Sequence, residues 1–353
     1  MKSAHRIRSF AWFFIAAVYY ILARQLAATA ANGLSSGVWF EFTDRAIFLF
    51  LLIVGFSAMG YIGQRQQQPL TEMGLAMRPG WRREFALGGA LGWAGVTACA
   101  LMIVVFGGMV VVFYIGWRQF ALIPLDLAIL LIASLAEEVA FRGYPFQRFI
   151  EATNPFVATV LLSVLFAAIH MGNPGASAAS VLVTMIAGWV LSVAYLRTRA
   201  LWVGWGIHFA WNASMAMLFG LPLSGLTQFS PVISSTALGP TWLTGFDYGP
   251  EGSAVGIVVL LSLFFVTIAA TSGLKYKYAQ PVIVAAGIPV DIDAAARRQH
   301  EAAMGSAEPA QPQIVQIAGV QPPAAPAPEI ELRQPDGEPP QPRNEPPRTP
   351  QES

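Results

Sequence analysis

Apolar residues in this chain come in long runs separated by short polar clusters. A helix crosses a bilayer core of about 30 Å with roughly 20 mostly apolar residues. By that measure the pattern predicts eight spans, at residues 9–30, 45–63, 86–114, 123–148, 156–172, 177–196, 200–220 and 252–273. Extended strands are a poor account of the same runs, because an open sheet edge in lipid leaves backbone groups without partners. The expected fold is therefore all-α, a polytopic transmembrane helical bundle of about eight spans.

The pattern stops near residue 279. From there to Ser353 the chain holds 15 of its 25 prolines, mixed with Ala, Gln and Glu, and no sustained apolar period. Such a segment buries too little surface to offset the entropy of ordering, and pairs such as Pro322-Pro323 and Pro339-Pro340 favour extended backbone. The organisation expected is a transmembrane domain over 1–278 and a disordered tail over 279–353. The tail is either a solvated extension or a docking segment for a partner.

Composition agrees with a membrane protein. Hydrophobic residues make up 55% of the chain and charged residues 12%, with a mean hydropathy of +0.54. A soluble domain carries about twice that charged fraction. The net charge of +1 offers no basic field for nucleic acid. Cys99 is the only cysteine, which excludes a disulfide framework and a multi-thiolate zinc site.

Basic residues alternate between the connections. Lys2, Arg6 and Arg8 precede the first span, and Arg65, Arg78, Arg82 and Arg83 follow the second. Arg142 and Arg148 close the fourth, Arg197 and Arg199 follow the sixth, and Lys275 and Lys277 follow the eighth. The intervening connections hold little beyond Arg45 and Arg118. The positive-inside rule then puts both termini in the cytoplasm, and the expected location is a bacterial plasma membrane. The basic start, the apolar stretch Phe10–Ala23 and the small residues at Ala28–Ala31 also fit a cleavable signal peptide. With so many later spans, an uncleaved first helix is the expectation.

Ionisable side chains within a bilayer cost about 2.5–3.5 kcal/mol each on insertion scales and so are candidates for function. The sequence places them in the fourth, fifth and seventh spans. In the fourth, Glu137 and Glu138 are adjacent, and Arg142 lies four residues beyond Glu138 on the same helix face. Glu137 points about 100° away and lacks that partner, a setting that suits a general base. The alternative is a structural ion-pair cluster. In the fifth span His170 follows Phe166 by one turn, and in the seventh His208 and Asn212 are four apart. Each could equally be interhelical hydrogen-bonding glue. Trp202 and Trp205 read as interface anchors. At 1.5 Å per residue, Glu137, His170, His208 and Asn212 lie roughly 18, 22, 12 and 18 Å from the cytoplasmic ends of their helices. One shared polar site explains this common depth more simply than separate hydrogen bonds.

At these residues the chain resembles the CPBP family of CAAX-type and bacteriocin-processing intramembrane proteases. Glu137, Glu138 and Arg142 match Glu-Glu-x-x-x-Arg, with Gly143 following; Phe166 and His170 match Phe-x-x-x-His; His208 and Asn212 match His-x-x-x-Asn. The likeness covers about 123–220 and departs mildly at Pro145, which should bend the helix end. It implies an endopeptidase in which Glu137 and His170 activate a water and His208 and Asn212 hold the oxyanion. Glu138 and Arg142 would orient the first site helix. The implied substrate is a membrane protein or peptide. Whether a metal takes part is left open: Glu137, His170 and His208 are an adequate set for Zn²⁺, but a glutamate–histidine pair can activate water alone. A non-catalytic immunity factor or scaffold is the alternative function. An ion carrier ranks below both, because no broken-helix repeat is evident.

Overall fold

The computed structural model describes residues 2–229 and 232–274, and the tail expected over 279–353 lies outside them. Helix α1 (Lys2–Leu34) runs into a short turn and α2 (Phe40–Gln64), followed by the single turn α3 (Pro69–Glu72). Helix α4 (Trp81–Phe106) leads into strand β1 (Met109–Phe113), and α5 (Trp117–Arg142) into the short α6 (Tyr144–Ala152). Then come α7 (Pro155–His170), α8 (Ala178–Thr198) and α9 (Trp202–Ala213), the last continued by a π turn at Ser214–Leu218. Strand β2 (Ile233–Ala237), the one-turn α10 (Thr241–Thr244) and α11 (Ala254–Ala270) complete the described chain.

Each predicted span overlaps a helix, and among the described residues the fold is all-α apart from one pair of strands. Among the described residues, Ser3–Leu34, Gly37–Gln64, Trp81–Phe106, Trp117–Ala152 and Ala178–Thr198 are long and apolar enough to cross a membrane; α7 and α11 are shorter apolar helices. Several helix starts are written in local chemistry. Asn154 accepts from the Val157 N–H with Pro155 in the first turn, and Ser177 and Ser180 form a capping box. Ser253 accepts from the Gly256 N–H at the head of α11.

Four expectations need correction. The run at 86–114 is not one helix. It breaks at Gly107 and Gly108, the latter at φ +86°, and its β-branched end forms β1, which pairs antiparallel with β2. The run at 123–148 is two helices divided at Gly143, and Pro145 sits in the first turn of α6 rather than bending a continuous helix. Trp202 is no interface anchor: it is buried against Trp81, and its indole N–H donates to the Ala76 carbonyl. Trp205 donates to the Leu131 carbonyl. Finally, buried charge is not confined to three spans, since Arg24 meets Asp44 and Arg78 meets Glu84, each at 2.6 Å.

The helices pack around two apolar cores. One gathers buried side chains of α1, α2, α5, α6 and α7, including Phe13, Phe56, Phe141 and Phe166. The other gathers α4, α8, α9 and α11 around Val96, Val190, Ile207 and Leu263, with Leu130 of α5 reaching in. Helix α5 packs against both α2 and α9 and so joins the two. The candidate residues lie where these cores meet.

Candidate active site

Helix α5 carries the two glutamates to this junction, and the heptad-free spacing of one residue sends them to different neighbours. Glu138 is fully buried; its Oε1 lies 3.3 Å from Arg142 Nη1, one turn along the same helix. The same oxygen accepts a hydrogen bond from His208 Nδ1 of α9 at 2.8 Å. Gly204 makes this approach possible, because a Cβ there would sit 3.2 Å from Glu138 Oε2. Arg142 is itself buried, donates to the Gly188 carbonyl of α8 at 3.2 Å, and stacks over the Phe166 ring at 4.6 Å. Arg142, expected from its spacing to pair with Glu138, is thus an interior group that also ties α5, α7 and α8 together. Arg148 is likewise buried and paired with Glu151 at 2.8 Å.

Glu137 faces the other way, into a cavity of about 200 Å³, and keeps 28% of its side-chain exposure. His208 Nε2 stands 3.6 Å from Glu137 Oε2, an electrostatic contact too long for a hydrogen bond. Glu137 Oε2 has no hydrogen-bond partner among the described residues. His208 therefore sits between the glutamates, one nitrogen fixed on Glu138 and the other turned toward Glu137.

Phe166 explains why a phenylalanine precedes His170 by one turn. Its ring packs 4.7 Å from the His170 ring and 6.0 Å from that of His208, with the Arg142 guanidinium against it. His170 is the last residue of α7, and its Nδ1 donates to the Phe166 carbonyl one turn back at 2.7 Å. That bond fixes the ring and leaves Nε2 as the other functional nitrogen. His170, Asn212, His208 and Glu137 all line the same cavity.

The sequence missed several wall residues. Glu251, from the turn before α11, accepts from Trp211 Nε1 at 2.8 Å and from both the Ser224 N–H and hydroxyl at 2.7 Å. Asn173 donates its side-chain N–H to the Ser224 carbonyl at 3.0 Å. Glu41 and Arg45 contribute from the first turns of α2. The available signal was weak: an isolated acid in Pro250-Glu251-Gly252 beside an apolar run, with nothing local to name its partners.

The donor set does not fit the zinc site that the sequence left open. Among the described residues no three His, Cys, Asp or Glu side chains converge as metal ligands. His208 Nδ1 is taken by Glu138, and His170 Nδ1 by its own helix.

No curated protein and no solved structure matches the chain. A protein-family comparison does. Residues 119–214, which span α5 to the end of α9 and contain all three motifs, match the Type II CAAX prenyl endopeptidase Rce1-like family, so this part of the chain is similar to the CAAX proteases that the motifs indicated.

Proposed function

We propose that the chain is an intramembrane endopeptidase whose general base is Glu137, set in a cavity at the junction of two helix cores. The observation that carries this reading is the contrast between adjacent glutamates: Glu138 is fully buried and spent on Arg142 and His208, while Glu137 lines the cavity, keeps 28% side-chain exposure and has only the longer His208 contact.

In this reading Glu137 takes a proton from a water as its oxygen attacks the scissile carbonyl, then delivers that proton to the leaving amine. The pairing with His208 departs from the family-derived expectation that His170 partners Glu137. Glu138 fixes His208 through Nδ1, so the imidazole keeps one orientation with Nε2 toward Glu137. Asn212, on the cavity wall, supplies the neutral donor that suits a developing oxyanion, while His170, its Nδ1–H held by the Phe166 carbonyl, offers Nε2 as an acceptor for the attacking water. No step is routed through a metal. The substrate in this reading is a membrane-associated protein or peptide, the class that the likeness to the CAAX prenyl endopeptidase family suggests.

Purified protein in detergent and a quenched fluorescent peptide library test the reading. Glu137→Gln preserves size and should reduce cleavage by roughly 10²–10⁴-fold, the usual contribution of a general base. Its melting temperature should stay near that of the wild type. Unchanged cleavage in that variant would remove Glu137 from the chemistry.

A further inference from the structure

We propose that this site takes its peptide from the non-cytoplasmic face of the membrane, as a segment next to a membrane anchor on that side. The inference rests on the endopeptidase reading above for what happens to the peptide, but not for where it enters.

The cavity reaches only one end of the bundle. Its wall includes Glu41 and Arg45 at the start of α2, Asn173 between α7 and α8, Ser224 and Gln228 after α9, and Glu251 before α11. With the helices alternating in direction, these connections share one side. None of the described wall residues comes from the connections at the other end, around 64–81, 143–155 or 197–202. That end is closed beneath the site by Arg142, Tyr144, Phe146 and Tyr195, all almost fully buried.

The open end is polar, and its polarity is organised. Asn173 and Glu251 hold Ser224 from two sides, and Ser224 adopts φ +48°, a conformation that a non-glycine residue keeps only where its surroundings enforce it. Glu41, Arg45 and exposed Gln228 complete the rim. Charged groups facing lipid are costly, so this rim meets water.

Charge then names the side. Arg6, Arg8, Arg65, Arg78, Arg82, Arg83, Arg197 and Arg199 lie toward the closed end, whereas the rim end holds Arg45, Arg118 and Arg24, the last paired with Asp44. Removing buried Arg142 and Arg148 from the tally leaves the asymmetry intact. The positive-inside rule assigns the closed end to the cytoplasm. A cytosolic chain end therefore has no path to Glu137, whereas a segment already carried across the membrane does.

Cysteine accessibility in sealed membrane vesicles tests this without any turnover. In the full chain carrying Cys99→Ala, Ala133→Cys reports on the cavity wall, Gln228→Cys on the rim and Gln67→Cys on the opposite face. A permanently charged methanethiosulfonate cannot cross lipid, so right-side-out vesicles should label Ala133→Cys and Gln228→Cys roughly tenfold faster than inside-out vesicles. Gln67→Cys should show the reverse. Labelling of Ala133→Cys from the inside-out preparation, or from neither, would overturn the proposal. Peptide cleavage by the detergent-solubilised wild type, compared with Glu137→Gln, is scored separately. Cleavage with the wrong labelling sidedness defeats the entry route alone, and correct sidedness without cleavage defeats the endopeptidase reading alone.

Discussion

Glu138, Arg142 and His208 form the most tightly committed group of side chains in the site, and their burial makes them interdependent. Glu138 and Arg142 each keep only 1% side-chain exposure. Removing one member strands a buried charge, at a cost of about 3–5 kcal/mol. Glu138→Leu and Arg142→Leu should each lower the melting temperature sharply. The double variant should recover much of that loss, because apolar replacement of a whole buried pair leaves no lone charge. Cleavage should not return with stability, since His208 Nδ1 would have lost the carboxylate that orients it. Differential scanning fluorimetry and turnover in one detergent read both effects. A double variant as unstable as the singles, or one that cleaves normally, would show that the two roles are not divided this way. The 3.3 Å pair was legible from four-residue spacing on a helix. The His208 contact was not, because nothing local links residues 138 and 208.

At the scale of elements, the approach of α4 to α9 decides where His208 and Asn212 stand. A Cβ at Gly88 would meet the Val203 carbonyl, one at Gly92 the Ile207 carbonyl, and one at Gly206 the Phe85 carbonyl. Glycines four apart allow two backbones to touch, which matters in a membrane because helix association depends on packing rather than water exclusion. Gly92→Ala should therefore push α9 outward, with an overpacking cost of about 1–3 kcal/mol and a parallel fall in cleavage. Gly89 is the control: a Cβ there finds its nearest neighbour, Ala210 Cβ, at 4.0 Å. Gly89→Ala should be tolerated. Equal melting-temperature losses in the two variants would argue against close α4–α9 contact as the determinant. The glycine spacing stands openly in the sequence, but the face it serves becomes evident only when α9 is placed against it.

For the whole molecule, the tail and the orientation carry the remaining predictions. The sequence after residue 279 is rich in proline and has no sustained apolar period, so truncation after Gln280 should leave detergent cleavage intact. Loss of cleavage in the purified truncation would assign the tail a part in the active fold. Reporter fusions within 225–245 should report the non-cytoplasmic side and fusions after Lys277 the cytoplasm. Opposite readings would invert the whole arrangement, and with it the side on which the cavity opens.

Hydropathy and helical spacing, taken alone, determined that the chain is an apolar helical bundle and that its polar residues cluster in three motifs. Those properties are local or periodic, so one strand of sequence contains them. Their limit shows at 86–114 and 123–148, where apolar content persisted through a strand and a helix break set by Gly107, Gly108 and Gly143. Tertiary structure decided that His208 rather than His170 stands against Glu137, that Arg142 reaches the Gly188 carbonyl and the Phe166 ring, and that Glu251 and Asn173 build the rim. Each of those outcomes depends on which helix faces lie together across tens of residues. Apolar runs are uniform enough to leave that rotation unspecified, and it is fixed by close glycine contacts and the few buried polar groups that must find partners.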